Sequence, residues 1–218
     1  METDPFHTPV LVDEVLGLLC PEDRRPPKII MDCTLGLGGH ARALLEKAGT
    51  DTCLIGMDAD KNNVIFSRKN LAPFGGQVRF FHANFSQAPA VLAQADLERV
   101  DALIADLGFS SNQMEDPACG LSFRKELDGP LDMRFDRSEG KTAADIVNTY
   151  GREQLADLIY GYGEERFSRR IAAAIAAARK SEYIDRTHRL VEIIMSALPV
   201  AARRGRNRIH PATRTFQA

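Results

Sequence analysis

The sequence predicts an α/β fold, with a parallel, doubly wound sheet first and a helical segment after it. Three observations point there. Four apolar, β-prone runs recur at Lys28–Asp32, Cys53–Asp58, Val78–His82 and Val100–Asp106. Stretches with helical spacing separate them, at Ala41–Lys47, Asn62–Leu71 and Ala88–Leu97. Strand and helix therefore alternate at about 25 residues per unit, as parallel βαβ units require. Beyond Asp106 that rhythm stops, and helical patterns take over.

In chain order, Pro9–Leu19 reads as a helix entered through Thr8-Pro9, with Thr8 as N-cap and Pro9 in the first helical position. The first strand runs into a glycine turn, Asp32-Cys33-Thr34-Leu35-Gly36-Leu37-Gly38-Gly39-His40, and a helix follows. Residues 107–140 read as loop, rich in Gly, Asp, Ser and Phe. A strong helix is expected from about Glu164 to Lys180, within a helical insertion from about Met114 to Asn207.

Composition narrows the class of protein. Of the 218 residues, 44% are hydrophobic and 27% charged, enough apolar side chain for a sizeable core. Cys20, Cys33, Cys53 and Cys119 form no C-x-x-C pair, so neither a zinc knuckle nor a disulfide framework is indicated, and no metal is expected. A reducing, cytoplasmic compartment fits. No apolar run approaches the ~20 residues of a membrane span, and the acidic start Met1-Glu2-Thr3-Asp4 is unlike a signal peptide, so no membrane partner is expected. The net charge of −2 hides an asymmetry: residues 1–150 hold 15 Lys/Arg against 23 Asp/Glu, a balance of −8, and residues 151–218 hold 13 against 7, a balance of +6. A basic segment joined to an acidic one can mark a polyanion-binding surface.

The glycine turn at the carboxyl end of a strand lets backbone approach a ligand closely. Gly36-x-Gly38-x-x-Ala41 satisfies the dinucleotide fingerprint, so an NAD-binding oxidoreductase stands as one reading. The charges favour another. Asp32, at the strand end, would repel a diphosphate but could hold the cationic end of S-adenosyl-L-methionine. Asp58 ends the second strand, where the ribose hydroxyls of either cofactor would hydrogen-bond to it. Either acid could instead be the N-cap of the next helix. His40 could be a ligand contact or a helix-start histidine, and Phe85 could flank an adenine or fill core. The fourth strand ends Asp106-Leu107-Gly108-Phe109, a carboxylate followed by a turn and an aromatic, loosely like the loop of amino-directed nucleic-acid methyltransferases.

Six blocks then carry a specific resemblance: His7-Thr8-Pro9-Val10-Leu11, Asp32 to His40, Asp106 to Gln113, Asp128 to Asp136, Tyr162 to Arg166, and His210 to Ala218. In this order and over nearly the whole chain they resemble the RsmH/MraW family of small-subunit ribosomal RNA (cytosine-N4)-methyltransferases. The resemblance implies a Rossmann-like class I methyltransferase domain with an inserted helical substrate domain, and methylation of a decoding-centre cytidine. It places S-adenosyl-L-methionine contacts on Gly38, Gly39, His40, Asp58, Phe85, Asp106 and Gln113. Separately, methyl transfer to an amine calls for an acceptor beside it, and Asp106 or the Leu107 carbonyl is the catalytic candidate. The implied domains are 1–113 with 208–218, continuing beyond the chain, and 114–207 as the insertion. Ala59, Lys61, Phe109, Cys119 and Phe135 depart from the family's usual residues, and the larger ring at Phe109 argues against a base-stacking role there.

The expected partner is small-subunit ribosomal RNA within the small ribosomal subunit, and a homodimer stays open. A noncatalytic RNA-binding module is the other alternative. It would account for the basic segment but leave Asp32, Asp58 and Asp106 without a role. Arg203, Arg204, Arg206 and Arg208 are expected to contact RNA phosphate. Because the resemblance implies later strands, a version extended past Ala218 is expected to be the more stable and more active.

Overall fold

A computed structural model describes residues 9–124, 126–203 and 209–218. The chain divides into two compact units, Met1–Ser110 and Ser111–Ala218. The first is a Rossmann-like α/β layer structure. Its strands are β1 (Ile29–Asp32), β2 (Cys53–Asp58), β3 (Val78–His82) and β4 (Ala102–Ile104), all parallel and ordered β3-β2-β1-β4. The chain steps outward from β1 through β2 to β3, then crosses to the other side of β1. The strand order thus reverses between β1 and β4, where open α/β sheets leave a crevice at the carboxyl ends.

The central strands are continuous apolar runs because both faces are covered. Ile30 and Leu54 point to one face, where they pack with Leu44, Leu45, Leu71 and Cys20. Met31, Ile55 and Met57 point to the other, against Val91 and Ala95. The covering helices are α1 (Val12–Leu19), α2 (Gly39–Ala48), α3 (Lys61–Asn70) and α4 (Ala88–Gln94). Asp101 closes the amino end of the sheet: its Oδ2 accepts from the backbone N–H groups of Lys28 and Ile29, each at 2.9 Å.

Local details differ from the sequence reading. The first helix begins at Val12, not Pro9, because Leu11 adopts a left-handed backbone with φ 53°. Pro9 instead lies against Gly39, and Thr8 lies outside the described residues. β4 is shorter than Val100–Asp106, since the Asp106 N–H turns away to the Thr34 side chain.

The second unit is helical, with α5 (Ser111–Glu115), α6 (Ala143–Thr149), α7 (Arg152–Gly161), α8 (Ser168–Ala178), α9 (Thr187–Ala197), α10 (Val200–Arg203) and α11 (Thr213–Gln217). Residues 107–140, read as loop, include α5 and a short turn of helix at Pro117–Cys119. The apolar stripe of α8, Ile171, Ala172 and Ile175, is fully buried with Leu155 and Ile159 of α7 and Ile193 and Ile194 of α9. The helix expected from Glu164 starts only at Ser168, because Glu164 has φ 52° and breaks it from α7. Residues 209–218, expected to rejoin the α/β domain, pack in this helical core: Ala212 is fully buried, and the Phe216 ring lies 4.9 Å from that of Phe123. All four cysteines are free thiols. Among the described residues no helix is long and apolar enough to cross a membrane.

Candidate functional site

The crevice between β1 and β4 is framed by a turn whose backbone is tied down almost residue by residue. Cys33 N–H donates to the Ile104 carbonyl of β4 and Leu35 N–H to the Met57 carbonyl of β2, both at 2.9 Å. The turn therefore prolongs the sheet's hydrogen bonding past the end of β1. Gly36 N–H then donates to Asp58 Oδ2 at 2.7 Å, and Gly38 N–H donates back to the Leu35 carbonyl at 2.8 Å. Asn70 of α3 donates to the Leu37 carbonyl at 2.9 Å.

Gly38, just before α2, has φ 88°, a backbone that side-chain-bearing residues rarely adopt. A Cβ on Gly39 would collide with the Pro9 ring. His40 follows at the start of α2, and its Nε2 lies 2.9 Å from the Val10 carbonyl. That contact and Pro9 pin the segment before α1 onto the glycine turn.

Two carboxylates, Asp32 and Asp58, end β1 and β2, and a third, Asp106, lies two residues beyond β4. Asp32 is 2% exposed, and its Oδ1 accepts from Thr34 N–H at 3.1 Å. Burial, with Asp58 and Asp106 adding to it, pushes its carboxyl up to about 7 against the pull of the Thr34 bond. Asp58 is also buried. Its Oδ2 accepts from Gly36, and its Oδ1 accepts from Asp60 N–H at 2.8 Å and from the Asn63 amide at 3.3 Å. Burial raises its carboxyl too, opposed by those hydrogen bonds. Neither acid is a helix N-cap: α2 starts from Gly38, and Asp60 caps α3 by accepting from Asn62 N–H at 2.8 Å. Asp106 differs in being exposed, and its N–H donates to Thr34 Oγ1 at 2.7 Å.

Phe85 is displayed beside β3 by a capped turn in which the Asn84 side chain accepts from Ser86 N–H and the Asn84 N–H donates to Gln87 Oε1. Its ring is 51% exposed, so it is not core. Gly38, Gly39, His40, Asp58, Phe85 and Asp106 all belong to the α/β unit, whereas Gln113 is a buried residue of α5 in the helical unit. The sequence reading missed Thr34, whose hydroxyl links the ends of β1 and β4, and Asn63, which steadies Asp58. A hydroxyl residue two places after a strand-end acid, in a glycine turn, is the signal that could have found Thr34.

The arrangement suits a cationic or hydroxyl-bearing ligand rather than a diphosphate, because acids occupy the places a diphosphate's charge would meet.

The sequence profile of the MraW methylase family matches residues 4–218. The chain is also similar to proteins named ribosomal RNA small subunit methyltransferase H. That of Nocardioides sp. is 44% identical over 214 residues, covering 98% of this chain and 66% of its own length. That of Thermobifida fusca is 44% identical, covering 98% and 63%. That of Solidesulfovibrio magneticus is 45% identical over 219 residues, covering 100% and 66%. The chain thus spans about two thirds of the length of these curated relatives.

Proposed function

The chain belongs to the MraW methylase family, and we propose that it is an S-adenosyl-L-methionine-dependent methyltransferase acting on the exocyclic N4 amine of a decoding-centre cytidine in small-subunit (16S) ribosomal RNA. The observation that carries this reading is the set of three carboxylates, Asp32 and Asp58 at strand ends and Asp106 just past β4, around one glycine turn. An NAD diphosphate would meet those charges unfavourably. The methyl donor carries cationic sulfonium and ammonium groups and no phosphate.

The residues present fit that donor. Asp58 has a fourth acceptor position beyond the three bonds it already receives, enough for one ribose hydroxyl. The turn at Gly38 and Gly39 brings bare backbone to the crevice, Phe85 offers a half-exposed ring for the adenine, and His40 and Gln113 complete the proposed cofactor set. The donor, when bound, supplies an electrophilic methyl group.

The chain's own task is then positioning. A cytosine amine is a poor nucleophile because its lone pair is delocalised into the ring. Asp106, exposed at the crevice and held through its backbone by Thr34, accepts a hydrogen bond from that amine and takes up its proton as the methyl transfers. The base must be unstacked to reach this acid, which favours a single-stranded region of RNA. The helical unit serves as the RNA-recognition domain, the small ribosomal subunit is the partner, and the cytoplasm is the compartment.

Nucleoside mass spectrometry of 16S ribosomal RNA, from cells with and without the protein, tests the reading. N4-methylated cytidine should fall when the protein is absent. An unchanged level, or thermal stabilisation by NAD and not by S-adenosylhomocysteine, would overturn it.

A further inference from the structure

The helical unit carries a charged groove that methyl transfer does not use. It forms where the chain turns from α7 into α8. Glu164, at φ 52°, reverses the backbone, and Glu165, itself buried, accepts from Phe167 N–H at 2.8 Å. The turn and the outer faces of both helices enclose a cavity of about 340 Å³, lined by Asp157, Tyr160, Arg166, Phe167, Arg169 and Arg170.

Its chemistry is unbalanced. Three arginines and one carboxylate, Asp157, line it, whereas Glu165, which accepts from Phe167 N–H, is not among the lining residues. Among the described residues, none of these three arginines is paired with an acid. Elsewhere in the same unit Arg134, Arg186 and Arg189 each hold a carboxylate. The arginines also stand at the amino end of α8, whose first turn contains no acidic residue and whose N-cap makes no side-chain bond. Cations at the positive end of a helix dipole are unfavourably placed, so nothing in the fold itself explains the cluster. Beside the charges stand aromatic rings. Tyr160 is 65% exposed, and the Arg166 guanidinium lies 4.7 Å from the Phe167 ring centre.

Cations beside an exposed ring are a means by which proteins hold single-stranded nucleic acid, with phosphates on the arginines and a base stacked on the aromatic. We propose that the α7–α8 groove is a second RNA contact, in which Arg166, Arg169 and Arg170 bind backbone phosphates and Tyr160 stacks on a base. This inference rests on the RNA-methyltransferase reading and adds to it where part of the RNA is held. An acidic protein surface would use the cations but leave the tyrosine ring without purpose.

The test is fluorescence anisotropy with a labelled single-stranded oligouridylate, titrated over a range of salt. The proteins are wild type, R169A/R170A, R169K/R170K and Tyr160→Ala, each checked by melting temperature. At low salt R169A/R170A should bind about tenfold more weakly, with a log–log salt slope shallower by roughly 1.4, since each single-strand phosphate contact contributes ~0.7. The lysine pair should keep the slope. Tyr160→Ala should lose about fivefold to a hundredfold in affinity at unchanged slope, as loss of one stacked base implies. Affinity for S-adenosylhomocysteine should be the same in all four.

A folded R169A/R170A protein with wild-type affinity and slope would overturn the groove and leave the methyltransferase reading standing. A wild-type protein that binds S-adenosylhomocysteine but no oligouridylate would likewise overturn the groove alone, whereas a folded protein that binds no S-adenosylhomocysteine would overturn the methyltransferase reading. Preferential binding of polyglutamate would assign the groove to an acidic protein partner and so refute the RNA contact.

Discussion

Asp32→Asn isolates the electrostatic cost built into the crevice. In the folded chain Asp32 is 2% exposed, has one backbone donor, and shares its surroundings with Asp58 and Asp106, so its carboxyl is raised from 3.8 to about 7. A group raised on folding binds its proton more tightly in the folded state. Its stabilising contribution is therefore complete below pH ~4 and is lost as pH climbs to ~7. A shift of about three units amounts to roughly 4 kcal/mol over that window, of which about 2 kcal/mol falls between pH 5.5 and 7. Asparagine keeps an oxygen for Thr34 N–H and cannot ionise. The variant's stability advantage over wild type should therefore widen by about 2 kcal/mol between pH 5.5 and pH 8. Guanidinium unfolding followed by circular dichroism at both pH values measures this, and titrations common to both proteins cancel. The same variant should bind S-adenosylmethionine more weakly, since the carboxylate that destabilises the fold is the one proposed to meet the cation. A stability difference independent of pH would refute the reasoning.

Three further outcomes are expected. Asp58→Ala should weaken S-adenosylmethionine binding by roughly 1–3 kcal/mol by calorimetry. Because Asp58 also satisfies Gly36, Asp60 and Asn63, the variant should in addition lose about 1–3 kcal/mol of stability on denaturation. Gly38→Ala, forced to φ 88° and pressed to 3.2 Å from Leu71, should cost at least ~1–2 kcal/mol of stability and reduce donor affinity. Asp106→Asn lies at an exposed position and should leave the melting temperature unchanged, while raising the donor dissociation constant and lowering kcat, by as much as about 10²–10⁴ if the acid orients the amine. Wild-type values for both constants would remove Asp106 from the site.

How much of this was legible in the sequence depends on how local the cause was. The strands were found to within about two residues because buried parallel strands are unbroken apolar runs, and because Asp32 and Asp58 mark where two of them end. The start of α1 was not legible. Pro9 looks like a first helical residue, but its position is decided by Gly39, far along the chain, whose missing side chain makes room for the ring. The break at Glu164 was hidden for the same reason: the turn is tight because Gly163 packs against the backbone carbonyl of Arg214. At the site, the strand-end acids were evident, but their partners were not. Asp58 reads as a ribose acid, while the structure shows it first bracing the glycine turn. Arg203, expected on phosphate, donates to the Leu198 and Ser196 carbonyls at the end of α9, each at 2.8 Å, and Arg204, Arg206 and Arg208 lie outside the described residues.

The charge asymmetry noted in the sequence now has a local meaning in each unit. The acidic excess of residues 1–150 includes Asp32 and Asp58, where burial makes ionisation costly and a cation would relieve it. The basic excess of residues 151–218 includes three arginines that hold no carboxylate among the described residues and stand at the unfavourable end of a helix dipole, where an anion would relieve the opposite strain. The two sites should respond differently to salt. A buried carboxylate meeting a small cation is little screened, so donor affinity should change weakly with ionic strength. Phosphates on exposed arginines release counterions, so RNA affinity should fall steeply along the same series. One salt titration read with both ligands therefore separates the two kinds of electrostatics. Equal salt slopes would mean that the donor is held by screened surface charge and that Asp32 takes no part in binding it.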